Sequence, residues 1–350
     1  MSASAPRADA LTPDWRRWIA EALLEGHAPA AVSAQLVGRG LDAARAEAEV
    51  HAVQGDPLFD LLRARGSAVD GRTERLVARL TRERLSASPG VVERRSGCDA
   101  DAFYRTYVAH GAPVHLTGFC ADWPARATWT PDRIAARMGE VEITVCRDRA
   151  ADPQCDRNFK RYEAKMKLAE YVALMRTQAG NHCYMIANNR NLDGPLAALL
   201  DDLAPPPGFV DRFRLKGGAS LWMGPAGTHT PTHHDCTSVL FCQLYGRKVV
   251  WLASPAETRL AAHQDGFYAP VLLSDHEARK PGGALAGATI YEVELAPGDA
   301  MLLPVGWWHE VRALDESVSC SITALRTTNR YDTFTPGFSP QRRAPKGPHA

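Results

Sequence analysis

"GTHTPTHHDCTSVLFCQLYGRKVVWLASP", residues 227–255, puts three histidines and an aspartate within seven residues and follows them with two apolar runs. The runs SVLFCQL and KVVWLA, rich in β-branched and aromatic residues, flank Tyr245-Gly246 and read as the arms of a β-hairpin. Successive side chains on a strand point to opposite faces, so His233 and Asp235 share one side while His234 faces away. An H-x-D pair therefore aims one imidazole and one carboxylate at a single point. By itself it could equally be a polar strand end with exposed histidines. A third ligand has to come from a different strand.

"GDAMLLPVGWWHEV", residues 298–311, offers that ligand. A Pro-Gly-Asp turn leads into an apolar strand, and a second turn delivers His309 beside Trp307 and Trp308, 74 residues after Asp235. Two histidines and one carboxylate on one face of a metal leave adjacent positions open, the arrangement of non-haem Fe(II) oxygenases. A hydrolytic zinc site would more often show three histidines or H-E-x-x-H on a helix, and neither is present. His229, His263 and His276 lie in loop-like sequence and read as surface residues. Trp307 and Trp308 read as core aromatics, with Trp308 pointing away from the metal. Lys248 reads as a solvent lysine unless it points inward, where an unpaired buried ammonium is costly and demands a counter-charge.

Outward from this centre, residues 91–330 read as a run of short strands: APVHLTGF, VEITVCR, HCYMIA, ASLWMG, TIYEVEL, AMLLP, EVRAL and VSCSITAL join the two runs already named. Their Gly, Pro and Asp punctuation points to an antiparallel barrel or jelly roll. TWTPDRIAARMGE is a helix capped by Thr130 with Pro131 at its first position, and KLAEYVALMRTQAG is a second. Segment 147–167 carries seven Lys/Arg against four Asp/Glu and reads as an exposed loop. Residues 1–90 read as a small helical region. Thr12-Pro13 opens a helix that keeps Trp15, Trp18, Ile19, Leu23 and Leu24 on one face, Asp42 caps another, and RTERLVARLTRERL forms a further one. Residues 331–350, Pro-rich and basic, read as a disordered tail.

The chain has 350 residues and a net charge of +1. That balance gives no sign of a nucleic-acid partner bound by overall charge. No apolar run approaches the ~20 residues that span a bilayer, and MSASAPRADALTPDW has no apolar signal region, so the expectation is a cytoplasmic protein with no membrane contact. Eight scattered cysteines without a CxxC pair fit reduced thiols.

On TPTHHD, QLYGRKVVWLASP and GDAMLLPVGWWHEV together, residues 105–326 resemble the JmjC/cupin-like family of Fe(II)- and 2-oxoglutarate-dependent oxygenases. The pattern is closest to the protein hydroxylases related to the asparaginyl hydroxylase of hypoxia-inducible factor. The resemblance implies a mainly β fold: a double-stranded β-helix (jelly-roll, cupin) core with flanking helices. It implies His233, Asp235 and His309 as iron ligands. It also implies a co-substrate pocket in which Lys248, fifteen residues after His233, and Thr230, three before it, hold the far carboxylate of 2-oxoglutarate beside Tyr184. One departure stands out. Related hydroxylases carry Asn-Phe-Trp on the last core strand, whereas SCSITALRTT has neither Asn nor an aromatic, so asparagine is not the expected target. The expected reaction is hydroxylation of an unactivated C–H on a protein or peptide side chain, yielding succinate and CO₂. The alternatives are a small-molecule hydroxylase of the same chemistry, a Zn or Mn cupin without oxygenase activity, or a metal-free scaffold. Lysine demethylation shares the iron chemistry, but no chromatin-reader motif is visible. A homodimer is left open.

Overall fold

Val239–Tyr245 and Lys248–Ala253 are apolar except for Gln243 and Lys248 and almost wholly buried on both faces, as strands are when they lie between two covered layers. The computed structural model describes residues 13–24, 28–60, 91–261, 267–329 and 331. Thirteen strands run through these residues: β1 (Glu93–Ser96), β2 (Val114–Thr117), β3 (Glu142–Arg147), β4 (Glu163–Lys167), β5 (Cys183–Tyr184), β6 (Ala219–Gly224), β7 (His229–His233), β8 (Val239–Tyr245), β9 (Lys248–Ala253), β10 (Ile290–Leu295), β11 (Ala300–Leu303), β12 (Trp308–Ala313) and β13 (Ser317–Ile322). They form a six-stranded sheet in the order β1-β2-β11-β8-β13-β6, a four-stranded sheet β10-β9-β12-β7, and a small sheet β4-β3-β5.

The two large sheets face each other. Val239, Phe241, Met301 and Leu303 from one pack with Val250, Leu252, Val293 and Val311 from the other, which is a double-stranded β-helix. The outer face of the six-stranded sheet carries Leu240, Cys242 and Leu302. It packs on α-helices Pro131–Met138 and Leu168–Thr177 through Ile134, Leu168, Tyr171 and Met175. The outer face of the four-stranded sheet buries Val249, Trp251 and Trp308 under Leu260, Leu273 and Leu285.

Two readings of the sequence change here. The stretch 239–253 is not a hairpin. β8 pairs with β11 and β13, and β9 with β10 and β12, so the chain crosses from one sheet to the other at Gly246-Arg247. A free-standing hairpin would leave one face of each strand in water; here both faces find partners. Gly246 has φ +64°, and a Cβ there would lie 2.1 Å from the Glu316 carbonyl oxygen, so the corner requires glycine. Gln243 fastens it, donating through Nε2 to the Tyr245 and Gly246 carbonyls at 2.8 Å each.

Segment 147–167 is not an exposed loop either. Its end is strand β4, paired with β3, and Arg149, Cys155 and Asp156 are buried. Arg149 Nη2 lies 2.7 Å from Asp156 Oδ2, which makes burial of the charge tolerable.

The helices of the first 60 residues form a separate unit. Pro13–Leu24, Pro29–Val37 and Ala43–Gln54 close Trp15, Ile19, Val32, Leu36 and Val50 into a core of their own. Asp42 caps the third helix, accepting from the Arg45 amide at 3.1 Å. Thr12, RTERLVARLTRERL, His263 and the 332–350 tail lie outside the described residues. No helix among the described residues is long and apolar enough to cross a membrane. All eight cysteines are free thiols.

Candidate metal centre

His309, second residue of β12, lies directly across from His233, the last residue of β7, and the two rings lie 4.1 Å apart. Asp235 sits just beyond the end of β7, where its carbonyl accepts from the Gly306 amide at 3.0 Å. One ligand atom from each of His233, Asp235 and His309 falls within 4.8 Å of the others, and among the described residues this is the one such group. His309 Nε2 is 3.7 Å from Asp235 Oδ2.

Each imidazole is turned by a backbone carbonyl. His233 Nδ1 bonds Pro231 O at 2.8 Å and His309 Nδ1 bonds Trp307 O at 2.9 Å. With Nδ1 as the protonated donor, the Nε2 lone pair of each ring is free for a cation. Burial, with His233 beside it, pushes His309 down to about 4, so its ring is neutral.

Thr230 and His233 stand three apart, and strict alternation would put them on opposite faces. The register slips between His309 and Val311: His309 faces His233, while Val311 faces Thr230. That bulge turns both Thr230 and His233 inward. Thr230, Tyr184, Asp235, Phe241, Leu303 and His309 then line one cavity of about 220 Å³ between the sheets. Behind two of these lining residues Lys248 is fully buried, its Nζ donating to Tyr184 Oη at 3.1 Å and lying 5.4 Å from the centre of the Phe241 ring. No carboxylate pairs with it among the described residues, and burial lowers its ammonium to about 7. Burial likewise raises the Tyr184 phenol, so it stays protonated. Its oxygen accepts from Lys248 while its own proton remains available to an acceptor.

His234 faces away and stands edge-on to Trp308 at 4.7 Å. His276 is exposed, but His229 is not a plain surface residue. Its Nε2 lies 2.8 Å from Oε1 of Glu310, a carboxylate with no exposure. Glu310 also accepts from Ser274 Oγ at 2.6 Å and Thr232 Oγ1 at 3.2 Å. Burial would raise this carboxyl, yet the bonds from His229 and Ser274 hold it below its usual value. This network on the far side of β7 and β12 was missed, although Glu310, one residue after His309 on a strand, had to face away from the metal. Tyr268 was missed too; it stacks on His233 at 5.7 Å. Tyr268 and His229 border a second cleft of about 810 Å³, whose other wall is the loop 150–157.

A model of the cupin-like domain matches residues 100–324, more than half of the chain. This chain belongs to the JmjC-type cupin-like domain family. JmjC-type cupin-like oxygenases use Fe(II) with 2-oxoglutarate as co-substrate. Similar proteins include Jumonji C domain-containing protein 5 of Drosophila melanogaster, 29% identical over 60% of this chain and 54% of that protein. The lysine-specific demethylase JMJ30 of Arabidopsis thaliana is 27% identical over 66% of this chain and 54% of its own length. The bifunctional arginine demethylase and lysyl-hydroxylase psr-1 of Caenorhabditis briggsae is 27% identical over 64% and 58%. The chain spans about half the length of the curated relatives it matches.

The side chains present fit both groups of this family. Two imidazoles and a carboxylate converge from neighbouring elements, a donor set suited to Fe(II). The buried ammonium of Lys248, without a carboxylate partner among the described residues, suits one end of a dicarboxylate.

Proposed function

We propose that the chain is an Fe(II)- and 2-oxoglutarate-dependent oxygenase that hydroxylates an unactivated C–H on a protein or peptide side chain. His233, Asp235 and His309 hold the metal. Lys248, Tyr184 and Thr230 hold the far carboxylate of the co-substrate. The observation that carries this reading is the buried Lys248, without a carboxylate partner among the described residues, set against Tyr184 and Phe241 in the lining of the cavity that Asp235 and His309 border. A cupin that needed only a metal would have no use for so costly a group.

Bound together, Fe(II) and 2-oxoglutarate supply, with O₂, an oxidant for unactivated C–H bonds and leave succinate and CO₂. The chain's own part is positional. The Pro231 and Trp307 carbonyls keep both imidazoles aimed, and Asp235, half-exposed beyond its strand, closes the third position. Lys248 and the Tyr184 hydroxyl meet the carboxylate, while Phe241, Val239 and Leu303 keep the inner end dry. A protein substrate is supported by the names of the relatives, which include a lysine-specific demethylase and a lysyl-hydroxylase.

Anaerobic addition of Fe(II) and 2-oxoglutarate tests the reading through the metal-to-ligand absorption band in the visible. The band should form with the wild-type chain and vanish in His233→Ala and Asp235→Ala. No band, or one that survives both substitutions, would overturn it. A product 16 Da heavier on peptides, as against metabolites, identifies the substrate class.

A further inference from the structure

Arg149 has no place in the chemistry above, yet it is the largest fully buried cation of the catalytic unit, with no solvent exposure at all. It leaves the end of β3 just after Asp148, which is held at φ +55°, a left-handed conformation that costs a non-glycine residue energy. Its Nη2 is spent on Asp156 at 2.7 Å and on the His229 carbonyl at 3.3 Å. Its Nε and Nη1 have no hydrogen-bond partner among the described residues. Its guanidinium lies over the Tyr184 ring, 5.5 Å from the centroid. Trp222 lies 5.7 Å from the same ring. Below it Gly224 leaves no space: a Cβ there would come within 2.8 Å of Tyr184 Cδ2.

A buried ion pair with two unspent donors is a poor device for stability, since apolar side chains of similar volume would serve as well or better. What this one does is fix a ring. Tyr184 is held by the guanidinium, by Trp222 and by the backbone of Gly224, and its hydroxyl receives the Lys248 ammonium at 3.1 Å. A planar cation over an aromatic face sets the ring's position more firmly than apolar packing does. The same guanidinium ties the ring to β7, through the His229 carbonyl, on the strand that carries Thr230 and His233.

Resting on the oxygenase reading, we propose that Arg149, clamped by Asp156, is a positioning residue for the co-substrate. It holds Tyr184 so that the phenol and Lys248 present a ready-made seat for a distal carboxylate. Arg149 touches neither metal nor co-substrate; it acts through the Tyr184 ring.

Anaerobic titration of Fe(II)-loaded full-length protein with 2-oxoglutarate, followed by the visible band, measures the effect. Mn(II) affinity and the melting temperature are measured in parallel. Arg149→Gln should weaken 2-oxoglutarate by about tenfold and leave Mn(II) affinity within about twofold. Arg149→Lys, which keeps charge but not the planar stack, should fall between. Since Arg149→Gln strands Asp156 and can unfold the chain, Arg149→Gln with Asp156→Asn gives a second variant without an unpaired buried charge, and the same loss is expected of it. The deciding readout is the cycle with Tyr184→Phe. If Arg149 works through that ring and its hydroxyl, the combined variant should lose little more than Tyr184→Phe alone. Unchanged 2-oxoglutarate affinity, additive losses in the cycle, or equal losses of metal and co-substrate would overturn the proposal. Those outcomes leave the oxygenase reading standing as long as the wild type forms the band and Lys248→Ala loses it. A wild type that forms no band removes both.

Discussion

Lys248 is the side chain on which most turns. Its ammonium sits at about 7 in the folded chain against an ordinary 10.5, because burial penalises the charge. A carboxylate beside it favours the charged form, so the bound state raises that value again. Below pH 7 the ammonium is already present and 2-oxoglutarate affinity should be flat. Above pH 7 binding must take up a proton, and affinity should fall by about tenfold per pH unit. Calorimetry at pH 8 in buffers of different ionisation enthalpy should register uptake of close to one proton, and heats independent of buffer would refute this. Lys248→Ala should cost roughly a hundredfold in 2-oxoglutarate affinity, as expected for a lost charge-assisted bond, with metal affinity nearly unchanged. Equal loss of both would remove its assigned role. His233, Asp235 and His309 were readable as candidates because a metal demands particular donors, and the fold brings the three together. Arg149 and Glu310 were not readable, because nothing in a charged residue's own sequence says that its counter-charge is buried beside it.

At the scale of elements, the strands of the core were legible from their apolar runs, but their pairing was not. β8 and β9 are joined by two residues and read as a hairpin, yet each finds its neighbours 37 or more residues away, in β10–β13. Local sequence encodes the turn; which sheet each arm joins is decided by where its two apolar faces can be covered. Gly246 is the residue that pins the crossing. Gly246→Ala meets both a positive φ and the Glu316 carbonyl, and should cost about 3 kcal/mol, or about 10 °C in Tm. Thermal melts with and without Fe(II) should show the loss in both; a variant that melts with the wild type would mean the corner is not strained. β7 makes the same point in a different way. Its bulge against β12 reconciles a spacing of three with a shared inward face, and it exists only because β12 lies alongside.

Over the whole molecule, the helices of residues 13–54 close their own core and no site residue lies among them. A chain starting at residue 81, where the second unit begins, should therefore bind Mn(II) and 2-oxoglutarate within about twofold of the full-length protein. A large loss on truncation, measured by the same titrations, would assign the helical unit a part in the site.

The sequence by itself determined which residues are candidate donors, their division between two distant motifs, and the apolar strands that carry them, because these follow from side-chain chemistry and from periods of two along the chain. Only the tertiary structure decided that the two runs of the opening stretch belong to different sheets. It alone turned Thr230 to the same side as His233, buried Arg149, tied His229 to the buried Glu310, and left Lys248 buried without a carboxylate among the described residues. Burial and partnership are properties of neighbours far apart in sequence, and the energy of a charge depends on them more than on the residue that carries it.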